Sequence, residues 1–175
     1  AGENVLASES LYGGTHTLFA HTLAGMGIEA RFFSPDQPER IPELADEKTR
    51  CVYAEAMGNP KNDVPDFQRV AAEAHKIGVP FLVDNTVMTP ALFRPIEHGA
   101  DIVCYSTTKF LGGHGAHVGG AIVDSGNFRW DDDPDRWYPF CKPDPSYHDM
   151  VFTEALREVG NVAFCVHART HMLRD

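Results

Sequence analysis

The chain has 175 residues, 43% hydrophobic and 23% charged, which is enough apolar content for one globular domain with a sizeable core. Its net charge of −10, without a basic cluster, argues against nucleic acid and anionic membrane as partners. No apolar run reaches transmembrane length, and Ala1-Gly2-Glu3-Asn4 lacks the charged and apolar regions of a signal peptide.

Asn4 to Ser8 reads as a short buried strand that starts almost at the first residue. The loop Ser10-Leu11-Tyr12-Gly13-Gly14-Thr15 follows, then a helix-like stretch from His16 to Met26 with Leu18, Phe19, Leu23 and Met26 at helical spacing. Glu29 to Ser34 is a second strand, broken by Pro35 and Pro38, and Ile41 to Lys48 reads as a short polar helix. Arg50 to Met57 is a third strand ending at Gly58-Asn59-Pro60. Val64 to Ile77 carries the apolar spacing of an amphipathic helix stopped by Gly78. Val79 to Val83 is a fourth strand, Asp101 to Tyr105 a fifth and Gly120 to Asp124 a sixth.

Strands alternate with helices and are near-continuously apolar, which predicts an α/β fold: a mostly parallel sheet with helices on both faces. Residues 126–148 form a loop-rich excursion with an acidic turn, several prolines, and Trp130, Trp137, Tyr138 and Phe140. Those aromatics are expected to pack on the domain rather than touch a substrate. His148 to Leu156 and Val162 to Leu173 read as helices, and Arg174-Asp175 carries no cap. The abrupt start and the uncapped end read as a domain truncated at both ends.

Cys51, Cys104, Cys141 and Cys165 are widely spaced and read as reduced thiols of a cytoplasmic protein. His167 and His171 have the i, i+4 spacing of two metal ligands, but no His-Glu-x-x-His pattern accompanies them, so no metal is expected.

Polar residues collect at the strand ends: Asn59, Asp84, Ser106, Thr108 and Lys109. In open α/β sheets ligands bind at that edge. Of five lysines, only Lys109 ends a strand beside hydroxyls and a glycine-rich loop. Partial desolvation there would make its amine a usable nucleophile. The hydroxyls can donate to a phosphate. The combination suggests a site for pyridoxal 5'-phosphate (PLP), with Lys109 as its Schiff-base lysine and Asp84 as the carboxylate that keeps the pyridine nitrogen protonated. A bare Ser-x-Thr-Lys recurs by accident in surface loops.

The match here is longer. The run Asp101 to Gly115, with its Thr108-Lys109-Phe110 core and Gly113-His114-Gly115 tail, resembles the PLP-attachment signature of the Cys/Met-metabolism family of PLP enzymes. Val83-Asp84-Asn85-Thr86 resembles that family's ring-nitrogen motif, while Val87 departs from the aromatic residue often found next. The resemblance implies the large domain of a fold type I, aminotransferase-like enzyme. It implies that Tyr12 stacks on the cofactor ring and assists proton movement, that Asn59 bonds its phenolic oxygen, and that Ser106 and Thr108 bind its phosphate. Lys109, Tyr12 and Asp84 would be the catalytic residues, with Asn85, Thr86 and His114 behind them. It implies further that a phosphate-binding loop precedes Ala1 and that a smaller C-terminal domain follows Asp175.

Val118 to Phe128 and Pro143 to His148 resemble the O-acetylhomoserine sulfhydrylases of that family more than its cystathionine synthases or lyases. The implied reaction is replacement of the acetyl group of O-acetylhomoserine by sulfide, giving homocysteine and acetate in a homo-oligomer, a dimer or tetramer. Cystathionine γ-synthase, a γ-lyase or an inactive fragment are the alternatives. A non-enzymatic nucleotide-binding module ranks last, because neither Gly-x-Gly-x-x-Gly after the first strand nor a Gly-Lys-Ser/Thr loop is present.

Overall fold

A computed structural model describes residues 1–173. The uncapped end read at Arg174 and Asp175 lies outside the described residues. The chain divides into two compact units, Ala1–Val123 and the residues from Asp124 onward.

Six strands form one sheet: β1 (Asn4–Ser8), β2 (Glu29–Phe33), β3 (Thr49–Glu55), β4 (Phe81–Asp84), β5 (Ile102–Ser106) and β6 (Gly120–Asp124). Their order is β2-β1-β3-β4-β5-β6. The β1–β2, β1–β3, β3–β4 and β4–β5 pairs are all parallel, as the alternation of strands and helices predicts. Every apolar run read as a strand is one, displaced by at most two residues at either end.

The register sorts side chains onto two faces because successive residues of a strand point to opposite sides. Ala7, Tyr53 and Leu82 share one face; Leu6, Val52 and Phe81 share the other. The first face packs on helix α1 (Gly13–Thr17) and the π-helical stretch Leu18–Leu23 that continues it. There Phe19 meets the edge of the Tyr53 ring with centroids 5.0 Å apart, and Leu11 and Ala7 complete a buried cluster.

After the short α2 (Ile41–Leu44), α3 (Phe67–Lys76) covers the second face and buries Phe67, Val70, Ala71 and Ala74. Its start is later than the apolar spacing from Val64 predicts. Pro65 disfavours a helical Val64, and Asp66 caps the helix by accepting the Arg69 N–H at 3.2 Å. Gly78, at φ 70°, ends it. α2 is shorter than the expected Ile41–Lys48 because Asp46 turns the chain: its Oδ1 accepts the Lys48 N–H and its own N–H bonds the Thr49 hydroxyl. Two short helical turns stand in the connection from β4 to β5: α4 (Thr89–Leu92) and a 3-10 turn over Pro95–His98.

In the second unit, Trp130 and Trp137 meet edge to face at 5.1 Å, with Phe128, Phe140 and Phe164 around Trp130. The aromatics thus pack on one another, beside α5 (Tyr138–Cys141) and α6 (Ala163–His171). The helix expected over His148–Leu156 does not form. His148, Asp149 and Leu156 have positive φ, and Asp144 pairs with Met150 as an antiparallel bridge. That backbone is incompatible with a continuous right-handed helix. His167 and His171 stack at 4.3 Å, and His171 pairs with Asp144 at 2.8 Å. Among the described residues no three metal-binding side chains gather, and no helix is long and apolar enough to cross a membrane.

Candidate active site

The C-terminal ends of β3, β4 and β5 open into a cavity of about 300 Å³. Tyr12, Glu55, Met57, Asn59, Asp84, Thr86, Val87, Ser106, Lys109 and Phe110 line it. Five of the six residues singled out in the sequence, Tyr12, Asn59, Asp84, Ser106 and Lys109, are therefore brought together from four separate segments. The sheet does this: parallel register aligns the strand ends, and the polar residue that follows each apolar run falls at the same edge.

Asp84 ends β4. Its Oδ1 accepts the Thr86 N–H at 2.8 Å, and its Oδ2 lies 3.5 Å from the Tyr53 hydroxyl. Thr86 in turn accepts the Ser106 N–H through its hydroxyl at 2.8 Å, tying the β4 and β5 ends together. Asn85 is buried and donates to the Phe93 carbonyl at 2.8 Å, so it supports the loop from behind.

Lys109 lies in the turn after β5; its N–H bonds the Ser106 carbonyl at 3.1 Å, and its carbonyl accepts from Gly113. The partial burial expected for Lys109 is not found. The turn carries its side chain off the end of the sheet, and this chain's own residues leave it exposed. It forms no ion pair among the described residues, whereas Lys61, Lys76 and Lys142 each approach a carboxylate.

Thr108 is not among the lining residues. Its hydroxyl donates to the Gly119 carbonyl at 3.2 Å and accepts the Gly119 N–H at 2.9 Å, closing the glycine-rich loop on itself. His114 bonds the Gly112 carbonyl within that loop and is exposed. The Tyr12 ring, 59% exposed, lies across Gly14, where an added Cβ would stand 2.7 Å from its Cε1. Gly58 is similarly required: a Cβ there would meet Ser10 at 2.7 Å.

The residue that sequence reasoning missed is Glu55. It is 6% exposed and accepts the Tyr12 N–H at 2.7 Å. Burial, with the charges of Asp84 and Asp63 acting the same way, pushes its carboxyl up to about 7, against the pull of the Tyr12 N–H. A glutamate closing the apolar run Val52-Tyr53-Ala54 was the available signal. Burial also pushes the Cys104 thiol below the floor up to about 12 and raises Tyr53, so both are neutral near pH 7.

Comparison with known proteins agrees with this geometry. The model of the Cys/Met metabolism PLP-dependent enzyme family matches residues 1–162. The chain is similar to homocysteine synthase of Schizosaccharomyces pombe, 49% identical over 100% of the chain and 40% of that protein. It is also similar to O-acetyl-L-homoserine sulfhydrylase of Leptospira meyeri, 44% identical with the same coverage. The structure of a Campylobacter jejuni protein described as an O-acetylhomoserine (thiol)-lyase superposes with a TM-score of 0.90 at 34% identity, covering 100% of this chain and 42% of that one. That structure contains N'-pyridoxyl-lysine-5'-monophosphate. The chain spans about two fifths of the length of the curated relatives it matches. With its parallel sheet, its cavity at the strand ends and a family match over most of its length, this chain belongs to the Cys/Met metabolism family of PLP-dependent enzymes.

Proposed function

We propose that the protein to which this chain belongs replaces the acetyl group of O-acetylhomoserine with sulfide, giving homocysteine and acetate. The observation that carries this reading is the convergence of Lys109, Asp84, Tyr12, Asn59 and Ser106 on one cavity. Relatives named homocysteine synthase and O-acetyl-L-homoserine sulfhydrylase support the choice of reaction.

The donor set fits PLP. That molecule has an aldehyde, a ring nitrogen, a phenolic oxygen, a phosphate and a flat face, and the lining offers an amine, a carboxylate, an amide, a hydroxyl and an aromatic ring. When bound, PLP supplies an electrophilic carbon and an electron-withdrawing ring that acidifies the substrate Cα–H. Lys109 would hold it covalently, and Asp84 would accept a hydrogen bond from the protonated ring nitrogen and keep it protonated. Tyr12 would lie on the ring face and Asn59 would donate to the phenolic oxygen. Ser106 would bind the phosphate. Thr108 would join it by turning its proton from Gly119 O to a phosphate oxygen, keeping the bond from the Gly119 N–H.

Once the substrate amine has displaced it, the freed Lys109 Nζ would act as general base on Cα–H and return that proton to the neighbouring carbons. At Cγ the bond to the acetate oxygen breaks and a bond to sulfur forms. Tyr12, at the edge of the cavity, would move a proton beside the departing acetate.

Exposed Leu92, Phe110 and Val118 support burial against further protein, in keeping with a homo-oligomer, a dimer or tetramer, of the whole enzyme. Four free cysteines support a reducing compartment, the cytoplasm. The test is to supply the full-length enzyme and PLP with O-acetylhomoserine, with and without sulfide. Homocysteine and acetate in equal amounts are expected; a keto acid formed without sulfide would identify a lyase instead.

A further inference from the structure

Tyr12 stands at the cavity with a largely exposed ring, so its position depends on its backbone. The Tyr12 carbonyl is fixed by the His16 N–H at 2.9 Å, the first bond of α1. The Tyr12 N–H is fixed by Glu55 Oε1 at 2.7 Å, across 43 residues of sequence. Glu55 is held in turn by β3, where it pairs in register with Asp84 of β4. Upstream, the Glu9 N–H bonds the Phe33 carbonyl and the Ser10 hydroxyl bonds Asp63, but at Tyr12 itself, the residue whose ring borders the cavity, the tie to the sheet is the Glu55 carboxylate.

We infer that Glu55 is a positioning residue for Tyr12: its carboxylate grips the Tyr12 peptide and so sets where the phenol ring stands over the site. This rests on the proposed reading of the cavity and adds to it a device for holding the stacking ring.

The clamp is sensitive to protonation. A backbone N–H bond to a carboxylate is roughly twice as strong as one to a neutral acceptor. The charges acting on Glu55 are those of Asp84 from β4 and Asp63 from the loop after β3; Lys109, from the turn after β5, lines the same cavity, and the nearby Tyr53 and Cys104 are neutral. His16 on α1 is stacked on Phe32. With the Glu55 carboxyl raised to about 7, the grip is full above that pH and weakens as pH falls toward 6.

The test is hydrogen–deuterium exchange of the full-length protein, without and with PLP, reading the peptide that contains Tyr12 and correcting for intrinsic rates. In the parent this peptide is expected to lose protection from pH 8 to pH 6 while peptides of β1 and β4 do not. Glu55→Ala should raise its exchange about tenfold or more at pH 8. Glu55→Gln, which keeps an acceptor but cannot titrate, should restore part of the protection and abolish the pH dependence. Unchanged protection in Glu55→Ala would overturn the inference. If Glu55→Ala unfolds, the glutamine variant decides, since a parental pH dependence in Glu55→Gln would equally overturn it. Borohydride fixation of PLP in the same samples reports separately on the cofactor reading, so either can fail without the other.

Discussion

Glu55 and Asp84 stand side by side at the ends of β3 and β4, in parallel register beneath the cavity. The Ala56 N–H continues the ladder to the Asp84 carbonyl at 2.8 Å, so both carboxylates are held by sheet rather than loop. Their partners differ. Glu55 serves the Tyr12 backbone, while Asp84 lines the cavity, with its Oδ1 braced by the Thr86 N–H and its Oδ2 near the Tyr53 hydroxyl.

This division gives a prediction for Asp84→Asn. The amide preserves shape but removes the negative charge that favours a protonated ring nitrogen. Turnover by the full-length enzyme should fall about 10²–10³-fold, the scale for losing one preorganised electrostatic partner. Steady-state kinetics checks this, with circular dichroism expected to match the parent.

A second prediction concerns the fold alone. Asp101 is 3% exposed and accepts the buried Phe81 N–H at 2.7 Å, with His75 Nε2 also at 2.7 Å. Asp101→Ala leaves that N–H without its acceptor and should cost ~1–3 kcal/mol, read by denaturant unfolding.

The same pair sets a pH dependence. The bond to Asp101 raises the His75 pKa above its usual value despite some burial. A raised folded-state pKa contributes stability that is full below the unfolded value, near 6.5, and is lost as pH rises through the folded value. The destabilisation caused by His75→Gln should therefore be larger at pH 6 than at pH 9, measured as the change in unfolding midpoint.

Gly58→Ala should also destabilise. Its Cβ would stand 2.7 Å from Ser10 Cβ and 3.1 Å from the Ser10 carbonyl, forcing apart the segment that Ser10 and Asp63 join by a 2.6 Å hydrogen bond. Overpacking of this kind costs ~1–3 kcal/mol, and thermal unfolding reads it.

Much of this was legible in the sequence because parallel strands buried on both faces write themselves as unbroken apolar runs. Val79 to Val83 and Ile102 to Tyr105 are such runs, and the polar residues that end them, Asp84 and Ser106, reach the cavity together. The helix misread over His148–Leu156 has helical residue types, but the bridge between Asp144 and Met150 and the positive φ at three positions override them. Lys109's exposure was illegible because it depends on which way the turn after β5 leaves the sheet. Glu55 escaped notice because a carboxylate inside an apolar run declares its partner only across the fold, at Tyr12.

The central claim is that Lys109 is the covalent anchor of PLP. The most direct measurement is to load the full-length protein with PLP, reduce it with borohydride and map the labelled peptide by mass spectrometry. The account predicts label on Lys109, with Lys109→Ala unlabelled and slowed at least about 10²–10⁴-fold. Label on Lys48, Lys61, Lys76 or Lys142, or undiminished labelling and turnover in Lys109→Ala, would contradict it.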